Sequence, residues 1–180
     1  MRIIDYKTGE IDDTATSYYT GRKMQMQLYM SELKGARIPA GVFYFPASVG
    51  YSDENEGRFR MKGFLNGDPK ALLCGDKNLT AEKKSEYFPA ALENKAQTKR
   101  VMDEQTFRDF LDYAVFAARQ SSKELKEGYV AATPYEDACK YCKFGGMCGF
   151  SKDCAKPRKE PSIDPAGIAK IAKKTRDGED

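Results

Sequence analysis

Met1-Arg-Ile-Ile-Asp-Tyr-Lys-Thr-Gly9 is the stretch on which the fold of this chain turns. Residues 2–6 predict a short buried strand that ends in a turn at Thr8 and Gly9. Ile3 and Ile4 are apolar and β-branched, which suits a sheet covered on both faces. Side chains alternate along a strand, so Asp5 and Lys7 fall on one face, one pleat apart. A carboxylate beside an ammonium at the C-terminal end of a strand is what phosphodiester hydrolysis needs. The carboxylate is a hard oxygen ligand for Mg²⁺. The lysine can orient an attacking water and offset the negative charge that builds on the phosphate. On these two residues alone, a strand-end salt bridge is the simpler reading.

The next segment changes the balance. Residues 17–33 have the composition of one helix, with Gly35 as its stop. At about 100° per residue, Tyr18, Arg22, Gln25 and Tyr29 share a narrow stripe beside an apolar one of Tyr19, Met26, Met30 and Leu33. The apolar stripe is expected to pack on the sheet and hold the polar one at its edge, above Asp5 and Lys7. Gln25 and Tyr29, one turn apart, can then hydrogen-bond a DNA phosphate or the lysine. After Pro39 comes a second buried strand, residues 41–45. Strand, helix and strand imply a right-handed crossover between parallel neighbours.

Ile-Ile-Asp5-Tyr-Lys7-Thr-Gly followed by Gln25-x-x-x-Tyr29 resembles the final motifs of RecB-type PD-(D/E)XK nucleases. The resemblance implies an α/β, restriction-endonuclease-like core, with Asp5 as metal ligand, Lys7 as catalytic lysine, and Gln25 and Tyr29 as the helix motif. That family carries a helix and two strands before Asp-x-Lys, with a further metal-binding acid. Neither precedes Asp5 here, so we expect a partial domain with weak activity, or none, by itself.

The totals set bounds. A chain of 180 residues suffices for one domain. Lys and Arg number 30 against 27 Asp and Glu, and the net charge of +3 is too small to argue for nucleic acid. Charged residues make up 32% and the mean hydropathy is −0.67. No apolar run approaches the ~20 residues of a membrane span, and no signal segment opens the chain. A cytoplasmic protein without membrane association is the expectation. The absence of histidine excludes Ser-His-Asp and Cys-His catalysis and leaves cysteine as the ligand for any soft metal. Five cysteines, four of them close together, fit a reducing compartment with a metal centre better than a disulfide framework.

Between the motifs the readings are ordinary. Asp12 and Asp13 are expected as solvated loop acids, and residues 46–57 as an exposed loop. Alternation over 58–65 predicts a half-buried strand whose basic positions form a solvated face. Residues 66–69 read as a turn, and 71–74 as a short apolar run in which Cys74 is a buried thiol. Residues 81–102 read as connecting loops. Asp103 reads as the N-cap of the clearest helix, running to Lys126 and closed by Gly128. Its core positions are Phe107, Phe110, Leu111, Ala114, Val115, Ala118 and Leu125.

Cys139, Cys142 and Cys148 follow at Cys-x₂-Cys-x₅-Cys spacing, with Gly145 and Gly146 between the second and third. Their thiolates suit zinc or an iron–sulfur cluster, with Lys140 and Lys143 favouring the charged form. Both centres usually take four ligands; the fourth is Cys154 or a residue outside this chain. Spacing alone makes zinc the default. The run after a long helix and Ala132-x-Pro-Tyr135 also resembles the C-terminus of the B subunit of AddAB-type helicase–nucleases. In that family three such cysteines and one leading cysteine hold a [4Fe–4S] cluster. The resemblance implies DNA as substrate, the A subunit of the helicase–nuclease as partner, and a role in resecting double-strand ends before recombination. A non-catalytic all-cysteine zinc module, binding nucleic acid or a protein, is the alternative. We expect residues 1–150 to form the partial nuclease domain with a cysteine staple at 134–150. Residues 151–180 are expected as a flexible charged tail or weak surface helix.

Overall fold

Arg2–Lys7 forms strand β1, Ala15–Tyr19 helix α1, Gln25–Leu33 helix α2 and Gly41–Pro46 strand β2. β1 and β2 pair in parallel, with Asp5 opposite Tyr44 and Lys7 opposite Pro46. The expected strand–helix–strand arrangement is therefore present. Lys62–Asn66 (β3) pairs antiparallel with β2, and Val101–Met102 (β4) pairs in parallel with β3. The sheet order is β1-β2-β3-β4, which leaves β1 at one edge. Pro69–Leu73 (α3), Glu104–Lys126 (α4) and Pro165–Asp177 (α5) complete the elements. The computed structural model describes residues 1–33, 35, 37–47, 59–81, 83–92, 99–151 and 155–178. Residues 48–57 of the loop expected over 46–57, the strand start at Arg58 and Cys154 lie outside them. Two units divide the chain: Met1–Ala117 with Ile163–Asp180, and Ala118–Ser162.

The helix expected over 17–33 is two helices. Thr14 caps α1 through the Ser17 N–H, and α1 stops at Thr20. Gly21 then takes φ +81, left-handed backbone that glycine adopts at little cost. The turn re-aims the chain, and α2 starts afresh at Gln25. Tyr18 and Arg22 therefore do not continue the stripe of Gln25 and Tyr29. Met26 and Met30 are buried as expected, whereas Leu33 is exposed.

Strand alternation sorts the core. On one face Val42, Tyr44, Phe64 and Met102 pack with Tyr18, Met26, Met30, Phe107, Phe110 and Leu111. On the other, Phe43 and Leu65 pack with Leu72, Leu79, Phe88 and Ala90. This second layer does not reach across β1, so Ile4 and Tyr6 are exposed, against the expectation of a strand buried on both faces. At the start of β1 the Arg2 guanidinium donates to the Ala71 carbonyl at 2.7 Å, at the end of α3. Cys74, expected as a buried thiol, is exposed at the C-cap of that helix.

α4 starts as expected, with the Thr106 N–H donating to Asp103 Oδ1 at 2.9 Å. It ends with Gly128 at φ +79. There Tyr129 N–H reaches the Glu124 carbonyl and Gly128 N–H that of Leu125, the paired bonds of a Schellman stop. Phe107, Phe110, Leu111 and Ala114 are buried, while Leu125 is exposed.

Within the tail expected as a flexible extension or a weak surface helix, Pro165–Asp177 forms helix α5. Asp164 accepts from the Gly167 N–H at 2.7 Å, Pro165 occupies the first turn, and Gly178 closes the helix at φ +74. Ile168, Ala169 and Ala172 enter the core beside the sheet. Arg176 donates to Asp109 Oδ1 on α4 at 2.7 Å. Ile168 is fully buried, so Ile168→Ala is expected to lower stability by about 2–4 kcal/mol. Urea unfolding checks this: a flexible tail predicts an unchanged midpoint.

Candidate active site

β1 brings Asp5 and Lys7 together as the pleat requires, with Lys7 Nζ 2.7 Å from Asp5 Oδ2. The Asp5 side chain is 32% exposed, while Oδ2 itself is shielded from solvent and has the Lys7 ammonium as its neighbour. The hydrogen bond to Asp5 raises the Lys7 pKa above its ordinary value; burial opposes this, and the Asp5 and Tyr44 charges add to it. In this geometry Lys7 is a fixed ammonium, suited to orienting water and offsetting charge.

The second expected pair also forms. Gln25 Nε2 donates to the Tyr29 hydroxyl at 3.0 Å, one helical turn away on the exposed side of α2. The buried side of α2 packs on β1 and β2. Gln27, on that side, donates to the Phe110 carbonyl at 3.0 Å and ties α2 to α4. No hydrogen bond or ion pair joins Gln25–Tyr29 to Asp5–Lys7 among the described residues. The sequence groups these four residues; the structure shows two contacting pairs.

Tyr44 and Lys23 are site residues that no sequence motif singles out. Tyr44 lies opposite Asp5, nearly covered, with Lys7 Nζ 5.6 Å and Lys23 Nζ 6.0 Å from its ring centre. Burial raises the Tyr44 pKa, against the lowering pull of Tyr18 and Lys7. The Tyr18 phenol behind it is buried, and burial drives its pKa far above the ordinary phenol value. Counting both strands from a common register would have set Tyr44 against Asp5. Nothing local marks Lys23.

Asp12 is exposed in the loop as expected, but Asp13 is not a solvated loop acid. Asp13 is buried and paired with Arg100, whose guanidinium lies 5.5 Å from the Phe64 ring centre. Partial desolvation of the Asp12 carboxylate would raise its pKa. Hydrogen bonds from Ser17 and Thr14 outweigh that and hold it below the usual carboxylate value.

Mg²⁺ commonly takes one or two protein carboxylates and fills its other positions with water and phosphate oxygens. Asp5, a partly exposed carboxylate at the end of β1, fits one such position. Among the described residues no three His, Cys, Asp or Glu side chains gather into a complete ligand set.

In the second unit the cysteines sit in a turn-rich loop closed at its base. Tyr135 and Arg158 form an isolated bridge, reinforced by Glu136 N–H to the Arg158 carbonyl and Arg158 N–H to the Pro134 carbonyl. The Arg158 guanidinium covers the Tyr135 ring at 4.2 Å. Cys139, Cys142 and Cys148 are all exposed. Cys142 Sγ accepts from Phe144 N–H, and Cys148 Sγ from Phe150 N–H, each at 3.4 Å. Exposed cysteine sulfurs are soft donors, and their chemistry fits a soft metal. The structure does not gather the three sulfurs into one ligand set.

Proteins named as the B subunit of an ATP-dependent helicase/deoxyribonuclease are similar to this chain. That of Desulforamulus reducens is 29% identical over 175 residues, covering 82% of this chain and 15% of the relative. That of Listeria innocua is 29% identical over 182 residues, covering 86% and 16%. That of Bacillus velezensis is 30% identical over 179 residues, covering 84% and 15%. The chain thus spans 15–16% of the length of these relatives. None of the described helices is long and apolar enough to cross a membrane. The PD-(D/E)XK nuclease superfamily matches residues 1–149, over which strand-borne Asp5 and Lys7 are followed by helix-borne Gln25 and Tyr29, and the chain belongs to that superfamily.

Proposed function

We propose that the chain forms the C-terminal part of a magnesium-dependent deoxyribonuclease domain, of the kind found in the B subunit of a helicase–nuclease. It works in the cytoplasm with an A-subunit partner, trimming DNA ends before recombination. The observation that carries this reading is the Asp5–Lys7 pair, 2.7 Å apart at the end of β1 within the family match. The name shared by the relatives supports the class of substrate and the pairing of two different subunits.

Bound Mg²⁺ would supply Lewis-acid polarisation of a phosphodiester. Asp5 is the residue of this chain that would hold it. The Lys7 ammonium faces the same pocket, where it orients the attacking water and offsets charge on the phosphoryl oxygens. Gln25 and Tyr29, already joined, present an amide and a phenol to the DNA strand or to Lys7. In the second unit, Cys139, Cys142 and Cys148 would hold a structural [4Fe–4S] cluster, with Cys154 or a residue outside this chain as fourth ligand. Zinc is the alternative at these thiols.

The test is cleavage of labelled single-stranded DNA under single-turnover conditions, with magnesium and with a chelator. Cleavage that requires magnesium is expected, slow in this chain by itself. Chelator-resistant cleavage, or DNA left intact at enzyme excess with neither metal nor DNA bound, would overturn the reading.

A further inference from the structure

We propose that Lys23 is a phosphate-positioning residue, forming with Lys7 and the Tyr44 ring a subsite for a DNA phosphodiester; this rests on the deoxyribonuclease reading above. Lys23 lies in the break between α1 and α2. Gly21 at φ +81 turns the chain there, and the Lys23 N–H is held by the Ser17 carbonyl at 3.1 Å. Had residues 17–33 formed one helix, Lys23 would lie about 160° around the axis from Gln25, reckoned at about 100° per residue. The break instead brings its ammonium to 6.0 Å from the Tyr44 ring centre. Lys7 Nζ lies 5.6 Å from that same centre.

The two ammonium groups differ in one respect. Lys7 is neutralised by Asp5. Lys23 is partly buried, and no carboxylate pairs with it among the described residues. Cation–π attraction to a phenol contributes only about 0.5–1 kcal/mol at exposed sites, which does not neutralise a charge. Two cations sharing one ring, one of them without a counter-ion, leave an excess positive charge beside the proposed catalytic pair. A phosphodiester is the anion that this pocket would meet. Gripping the backbone here is sequence-independent, because phosphate carries no base information.

Affinity for fluorescein-labelled oligodeoxythymidylate is to be measured against salt concentration, with calcium in place of magnesium. Each phosphate contact contributes about 0.7 to the slope of log affinity on log salt for a single strand. Lys23→Gln is expected to weaken binding about tenfold at low salt and flatten the slope by about 0.7. Lys23→Arg should keep the slope. Lys77→Gln, which removes an exposed lysine on another loop, should leave both quantities unchanged and controls for net charge. Far-ultraviolet circular dichroism of each variant checks the fold. If the unaltered chain binds DNA and Lys23→Gln keeps its slope, or Lys77→Gln loses as much, the phosphate subsite is overturned and the nuclease reading stands. If the unaltered chain binds no DNA, both fall.

Discussion

Lys7→Met lowers magnesium-supported cleavage of single-stranded DNA by about 10²–10³-fold, the usual cost of removing one fixed charge or donor from a developing oxyanion. Asp5→Asn is expected to cost at least as much. It removes the one carboxylate of the pair, whereas Lys7→Met leaves that oxygen in place. The two are separated by magnesium titration under single turnover. Asp5→Asn shifts the metal dependence to higher concentration, while Lys7→Met lowers the plateau and leaves the midpoint near its original value. Protonation sharpens the test. The raised pKa of Lys7, caused first by its hydrogen bond to Asp5, keeps the ammonium charged through neutral pH. Its pairing with Asp5 is fully present below the ordinary lysine value and is lost only as pH rises through the elevated folded value. No limb of the pH–rate profile around neutrality should therefore belong to Lys7, and Lys7→Met should lower the whole profile without changing its shape. A variant that cleaves as well as the unaltered chain would reduce Asp5–Lys7 to a strand-end salt bridge.

What sequence could and could not say follows from the range over which each signal acts. Period two is a property of the strand itself, so Asp5 and Lys7 were legible as neighbours. The same holds for Gln25 and Tyr29, which meet through the helical i,i+4 relation. The parallel crossover was legible from the order of apolar runs. The single helix over 17–33 failed because a 100° stripe assumes uninterrupted right-handed backbone, and Gly21 supplies the exception. Ile3 and Ile4 look alike in the sequence, and only the reach of the second apolar layer decides that Ile4 is exposed. α5 was legible only as a weak surface helix because of its low apolar content, although Asp164-Pro165 and Gly178 are ordinary start and stop signals. Tyr44 and Lys23 join the site through pairing and a turn between elements, which no local pattern encodes.

Cys142→Ser, or stripping the protein with a strong chelator after oxidation, should abolish ordered structure in the loop between Tyr135 and Arg158. Among its described residues the loop buries little that could hold it. Tyr141 is 85% exposed, Met147 84% and Phe144 65%, so the apolar residues between the cysteines bury almost nothing. Its internal bonds are short turns, and its base is one bridge with a guanidinium over a ring. Turns of this kind without a core fold when a metal crosslinks them, and thiolate sites supply apparent binding energies of order 10 kcal/mol. The N–H donors aimed at the Cys142 and Cys148 sulfurs fix only their local orientation. Amide hydrogen exchange at Met147 and Cys148 reads the outcome directly. Both N–H groups are bonded to the Phe144 carbonyl and should be protected only in the metal-loaded protein. Iron and acid-labile sulfide in the loaded protein would assign the cluster. A colourless protein with one zinc per chain would assign the all-cysteine zinc site. Equal protection with and without metal would show that the loop stands on its turns and its Tyr135–Arg158 base, and that the cysteines are not ligands.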